Sequence, residues 1–248
     1  MAGKNRKFKS PERGTILYGI NSVAERLRKD PASIKKIFLR NNFKNPKIEK
    51  LLKNSKAAAC RVSESKLDGI KDISNHQGII ALARPFSYRD FESLLERKEL
   101  IVFLDRINDP QNLGGIIRTA ACLGGVSLVI PKHKSCLITD SVLHVASGGE
   151  NYVAVSLVSN IVNSLLEAKR QGYWVAGAVA KGGADIKKSD LSFPLCVVMG
   201  SEGEGIRYGI DKYLDFRVSI PMQGAPLSFN VNVAFAIFCY EILNIRAD

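Results

Sequence analysis

Beyond residue 99 the chain repeats one pattern: a short apolar run, a break rich in glycine or polar residues, then a stretch of helical periodicity. Strand-like runs fall at 101–104, 127–130, 152–155, 173–178, 196–199 and 216–220, and helical stretches at 113–123, 161–171 and 228–244. A strand with one wet face alternates apolar and polar residues. Several of these runs are apolar throughout, as strands buried on both faces are. The alternation predicts an α/β fold, a mostly parallel sheet with helices on both sides.

Upstream the pattern is smaller in scale. Strands are expected at 16–19, 37–39, 58–62 and 78–83, and helices at 22–28 and 46–54, the second opened by Pro46. These make a small α/β domain over 14–85. Residues 86–98 read as a linker carrying a charged amphipathic helix, 99–248 as the larger domain, and the patternless basic stretch 1–13 as a disordered tail. Charge divides the same way. Residues 1–98 hold 23 Lys and Arg against 10 Asp and Glu, whereas 99–248 hold 13 against 14. A surplus this local suggests a polyanion-binding module joined to a neutral domain with another task.

Other classes are disfavoured. No apolar run reaches the roughly 18 residues that a bilayer requires, and the basic N-terminus leads into no apolar core, so the chain is expected to be cytoplasmic. Cys60, Cys122, Cys136, Cys196 and Cys239 are scattered and odd in number, which argues against a disulfide framework or a zinc site and for small apolar core residues. His76, His133 and His144 are isolated, so no metal site is expected.

Three segments place glycine and polar residues directly after apolar strands, where open α/β sheets bind ligands. The first runs Leu104-Asp-Arg-Ile-Asn-Asp-Pro-Gln-Asn-Leu-Gly-Gly-Ile-Ile-Arg118. Asn112 is placed to cap the next helix, and Gly114 and Gly115 imply close approach by a backbone or ligand. Arg118 serves either this cleft or a surface ion pair. The second, Cys196-Val-Val-Met-Gly-Ser-Glu-Gly-Glu-Gly-Ile206, lacks the P-loop and dinucleotide fingerprints. Its Glu202 and Glu204 suit a hydroxyl or a cationic ligand better than a phosphate. The third, Val218-Ser-Ile-Pro-Met-Gln-Gly-Ala-Pro-Leu-Ser-Phe-Asn-Val-Asn-Val-Ala234, puts Ser228 at the expected cap of the last helix and Asn230 in its first turn, where helices avoid Asn.

In this order the three segments resemble the three motifs of the SpoU family of RNA ribose methyltransferases. Tyr18-Gly-Ile-Asn-Ser-Val-Ala-Glu25 and His76-Gln-Gly78 are similar to the substrate-binding domain of its 23S rRNA guanosine-2′-O-methyltransferase group. The resemblance implies a C-terminal deep trefoil knot, although such knots are rare among folds. It also implies a ribosomal-protein-like RNA-binding domain at the N-terminus, a homodimer with its site at or near the interface, and 23S rRNA or a large-subunit precursor as partner. S-adenosylmethionine is implied as methyl donor, held by Ala178, Val179, Ala180, Met199, Gly200, Gly203, Ile220, Met222, Ser228 and Phe229. The catalytic set implied is Asn112, Arg118, Glu202, Ser228 and Asn230. Arg118 would hold the ribose or its phosphate; as a base it is a difficult choice, because arginine normally stays protonated. The sequence departs from the family pattern at Phe229, where Leu is commoner, at Asn232 for Ser, and at Ala146-Ser-Gly-Gly-Glu-Asn151, whose acid Glu150 is shifted. Competing readings are a related enzyme acting on tRNA or another rRNA nucleotide, a catalytically idle RNA-binding protein on the same fold, and a nucleotide-dependent dehydrogenase, the last disfavoured by the missing fingerprint.

Overall fold

The computed structural model describes residues 14–70, 75–201 and 203–247. The expected tail, 1–13, and the expected site residue Glu202 lie outside them. The chain divides into two units between Phe86 and Ser87.

The first unit runs β1 (Thr15–Tyr18), α1 (Ile20–Lys29), β2 (Ile34–Arg40), α2 (Pro46–Asn54), β3 (Ala59–Val62), α3 (Glu64–Asp68) and β4 (Ile79–Ala83). Its sheet has the order β1-β4-β2-β3. The centre strand β4 is antiparallel to both β1 and β2, and β3 lies parallel to β2. Pro46 stands at the start of α2, and Asn45 accepts from the Ile48 N–H as its cap. His76 locks the entry to β4: its Nδ1 accepts from the Gly78 N–H at 2.9 Å, and its Nε2 lies 2.8 Å from Asp68 Oδ1. The first bond makes Nε2 the protonated nitrogen that donates to Asp68.

The second unit opens with α4 (Phe91–Glu96), β5 (Leu100–Leu104), α5 (Pro110–Leu123), β6 (Val126–Pro131), α6 (Asp140–Ala146), β7 (Val155–Val158) and α7 (Ile161–Arg170). It continues with β8 (Trp174–Ala178), β9 (Ala184–Asp185), β10 (Leu195–Met199), α8 (Tyr208–Asp211), β11 (Phe216–Ser219) and α9 (Val231–Ala247). Seven strands line up as β7-β6-β5-β10-β8-β11-β9, and every pairing is parallel. Strands β5, β6 and β10 are buried at every residue, which is why their sequences lack alternation.

On one face, Phe91, Leu94 and Leu95 of α4, Ile161 and Leu165 of α7 and Ile210 of α8 pack on Ile101, Phe103, Cys196 and Val198. The helix expected inside a linker is therefore part of this unit's core. It is also shorter than expected, ending before Lys98, which takes φ 53°. Helix α5 packs against α6 and α9. The approach is close at Gly114, where a Cβ would stand 2.5 Å from Val145 Cβ and 2.9 Å from the Val142 carbonyl.

Several expected boundaries shift for local reasons. Helix α5 begins at Pro110, because Asp109 accepts from the Gln111 N–H and is the cap; Asn112, expected there, lies inside the first turn. Helix α9 begins at Val231, capped by Asn230 through the Asn232 N–H at 3.0 Å, and Ser228 stands upstream of it. The strand expected at 152–155 is β7, three residues later, because Ser147 and Gly148 turn left-handed into a 3-10 turn over Gly149–Asn151. Of the cysteines, Cys196 and Cys239 are buried core residues, and burial pushes both thiols up. Cys60 and Cys136 are half-buried and Cys122 is exposed.

Candidate active site

All three glycine-bearing segments emerge beyond the C-terminal ends of parallel strands. A cleft of about 380 Å³ opens beyond β8, β10 and β11, within the range of small-molecule sites. The structure places all ten residues expected to hold the methyl donor in its lining. Ala178 ends β8, and Val179 and Ala180 follow it; Met199, Gly200 and Gly203 end β10 and enter the second segment; Ile220, Met222, Ser228 and Phe229 come from the third. Chain geometry enforces the second segment. The Gly205 N–H bonds the Ser201 carbonyl at 2.9 Å, and a Cβ on Gly200 would stand 2.0 Å from the Gly205 carbonyl carbon. Any side chain at 200 would break the loop. The outer wall is apolar, with Met222 and Phe229 substantially exposed to solvent.

The polar residues group differently. Asn112 is buried and accepts from Asn230 Nδ2 at 2.9 Å, which joins the first segment to the third. Ser228, two residues before Asn230, lies in the cleft lining. Arg118 stays exposed on α5 and is not among the cleft residues. Its backbone is approached closely by Gly149, whose Cβ would stand 3.1 Å from Arg118 Cα. Glu150 is buried, and Asn151 Nδ2 donates to it at 3.0 Å. The fold thus brings the segments of Asn112, Ser228 and Asn230 together and leaves Arg118 exposed on α5, outside the cleft lining.

An ion-pair network flanks the cleft. Asp105, fully buried at the end of β5, accepts two hydrogen bonds from Arg207, from Nε at 2.8 Å and from Nη2 at 2.7 Å. This planar, two-point pairing fixes the guanidinium. Arg106 pairs with Glu204, and that bond raises its pKa above the ordinary arginine value. Glu204 thus lines the cleft while ion-paired with Arg106.

Lining residues absent from the expectation are Ser201, Glu204, Gly205 and Ile206 of the second segment, and Val231, Ala234 and Phe238 of α9. The last three carried a readable signal, since spacings of three and seven put them on one helix face. Among the described residues no group of three His, Cys, Asp or Glu is placed to hold a metal ion, and no helix is long and apolar enough to cross a membrane.

Comparison with known proteins covers both units. Residues 99–240 match the SpoU rRNA methylase family, and residues 16–89 match a domain described as RNA 2′-O ribose methyltransferase substrate binding. A Staphylococcus saprophyticus protein assigned by name to the TrmH family of tRNA/rRNA methyltransferases is 34% identical over 223 residues, 86% of this chain and 89% of its own length. A Staphylococcus aureus protein of the same name is 33% identical over 243 residues, 94% of this chain and 97% of the relative. The crystal structure of an RNA 2′-O ribose methyltransferase superposes with a TM-score of 0.80 at 24% identity, covering 98% of this chain and 93% of that one. The methyltransferase AviRb of Streptomyces viridochromogenes, crystallised with AdoMet, gives 0.79 at 21% identity over 98% and 94% of the two chains. At these identities the two structures establish a shared fold.

Proposed function

The chain belongs to the SpoU rRNA methylase family, and on that premise we propose that it transfers a methyl group from S-adenosylmethionine to a ribose 2′-OH of RNA, with a guanosine of 23S rRNA as the target. The observation that carries this reading is that the second and third segments meet with Ala178–Ala180 in one cleft, and that the first is tied to the third beside it through Asn112 and Asn230. The cleft fits the donor. Ile206, Ile220, Met222 and Phe229 offer apolar surface for an adenine, and the backbone at 178–180, 199–201 and 203 offers hydrogen-bonding groups.

The chemistry is a displacement at carbon. The ribose oxygen bonds the methyl carbon as the carbon–sulfur bond breaks, sulfur keeps the electron pair, and the hydroxyl proton must leave. Alignment supplies most of the acceleration. Asn112 and Asn230 hold the first and third segments in register, and Ser228 and Glu202 orient the ribose. A guanidinium is a poor base, so the role assigned to Arg118 is to hold a substrate phosphate whose oxygen takes the proton. An arginine outside its own chain's cleft suits a homodimer in which each copy serves the other's site. Val233 and Tyr240, exposed seven residues apart on α9, supply apolar surface for such an interface. The reading includes the trefoil knot, for which the insertion of β10 between β5 and β8 is the supporting feature. The basic first unit would grip RNA phosphates, and the enzyme would work in the cytoplasm.

The Staphylococcus relatives are named for both tRNA and rRNA, so tRNA is the second reading. Mapping 2′-O-methylation across rRNA and tRNA in a deletion strain separates the two. Loss of one methyl at a 23S guanosine, restored by the purified enzyme, is expected. Loss at a tRNA nucleotide would replace that target, and no loss in either would refute the reading.

A further inference from the structure

Beside the donor cleft, a second cleft of about 360 Å³ opens past the ends of β6 and β7. Arg106, His133, Lys134 and Arg207 line it, and α7 starts at its wall with Asn160. Arg106 and Lys134 hold left-handed backbones, φ 59° and 57°, a conformation that costs a non-glycine residue energy and tends to persist at functional sites. Arg106 Nη2 is buried with no hydrogen-bond partner among the described residues, and Nε, also buried, lies 3.5 Å from Asp105 Oδ2 without hydrogen-bond geometry. Between the lining residues Arg207 and Gly209 stands Tyr208, whose side chain is 86% exposed.

We propose that this cleft seats a phosphodiester of the RNA strand, and that Tyr208 stacks on the adjoining base. The inference rests on the methyltransferase reading and gives its catalytic unit an RNA contact of its own. A cationic cleft alone would accept any anion; an exposed aromatic residue set between two of its lining residues favours a nucleotide, which presents a phosphate and a π-face together. Asp105 and Glu204 offset two of the three permanent positive charges, so Lys134 supplies the net charge, and the N-terminus of α7 adds its dipole. Asp105 engages two of the five donors of Arg207, which leaves others for a phosphate oxygen. Position gives the occupant its role. Glu204 lines the donor cleft while its partner Arg106 lines this one. The nucleotide held here is therefore a neighbour of the methylated one, and its sequence context is read next to the donor.

The test uses the full chain and two variants that leave the donor cleft untouched, Tyr208→Ala and Lys134→Gly, the latter chosen to suit the left-handed backbone. Binding of a mixed-sequence single-stranded RNA is followed across salt concentrations, S-adenosylmethionine binding is followed by calorimetry, and inorganic phosphate serves as competitor. Tyr208→Ala should weaken RNA binding about tenfold. Lys134→Gly should lower the slope of log affinity against log salt by about 0.7. Donor affinity should not change in either, and phosphate should displace RNA only weakly. Unaltered RNA binding by both variants, in a protein that still binds donor, overturns the subsite and leaves the methyltransferase reading standing. Phosphate binding as tight as RNA binding, with Tyr208→Ala silent, makes the cleft a free-anion site and also overturns it. A parent protein that binds no donor removes the reading beneath the proposal and the proposal with it.

Discussion

Asn230 Nδ2 donates to Asn112 Oδ1 at 2.9 Å, across 118 residues of chain. The Oδ1 of the same Asn230 accepts from the Asn232 N–H at 3.0 Å and caps α9. One amide therefore does two tasks: its oxygen starts the last helix and its nitrogen ties that start to the first turn of α5. Only a side chain with a donor and an acceptor on one carbon can do both.

Asn230→Ser separates the tasks. Serine is a good cap but is too short to reach Asn112. Unfolding stability should stay close to the parent's, while methyl transfer falls about a hundredfold as the segments lose register. Asn230→Ala should lose the same activity and a further ~1 kcal/mol of stability. Urea unfolding beside a labelled-methyl assay checks both; a fully active Asn230→Ser would detach this bond from catalysis.

Gly114 is a packing residue. In Gly114→Ala the new Cβ would meet Val145 Cβ at 2.5 Å and the Val142 carbonyl at 2.9 Å, a cost of about 1–3 kcal/mol. At Gly115 the neighbour is the Asn232 side-chain amide at 3.0 Å, which is able to rotate away, so Gly115→Ala should cost less. Adding Val145→Ala to Gly114→Ala relieves only the Cγ1 contact, 2.8 Å from the new Cβ, and should recover little of the loss, since Val145 Cβ and the Val142 carbonyl both stay in place. Chemical denaturation of the four proteins gives the answer.

The strands were the most legible part of the fold. A run such as Leu195–Met199, buried at every position, has no other good solution than a strand inside a parallel sheet. The lining of the cleft was legible because most of its residues lie in contiguous segments. Helix starts were less so. Asn112 and Ser228 look like caps in sequence, yet Asp109 and Asn230 win, because each accepts the N–H two residues on. The Asp105–Arg207 pair spans 102 residues and left no local signal. The small elements α3, α6, α8 and β9 left no signal, because at two to seven residues they are too short to display periodicity.

Asp105 should be the most sensitive acid of the second unit. It has no exposed surface, whereas the Arg207 side chain is 45% exposed. Arg207→Ala strands a buried carboxylate with Arg106 3.5 Å away as its remaining partner, and should destabilise by about 3 kcal/mol. Asp105→Asn leaves the arginine access to water and should cost less. Thermal unfolding of the two variants ranks them; the reverse order would contradict the burial asymmetry.

Alkaline stability should depend on Tyr173. Burial pushes its phenol up to about 12, and its hydroxyl donates to the Leu95 carbonyl at 3.1 Å. The folded pKa lies above the unfolded value of 10.0, so this contribution is complete below pH 10 and fades as pH rises to about 12. Tyr173→Phe should be weaker by about 1 kcal/mol at neutral pH and should lose less stability over that alkaline range. Urea midpoints against pH, compared between the two proteins, would reveal it.

Donor binding by the cleft and the grip of Arg118 on the substrate phosphate are proposed here as separate functions. Arg118→Ala tests this most directly, with S-adenosylmethionine titrated calorimetrically and labelled methyl transfer to rRNA followed in the same preparation. The account predicts unchanged donor affinity in Arg118→Ala and no transfer above background. Full transfer by the variant, or loss of donor binding together with transfer, would contradict it.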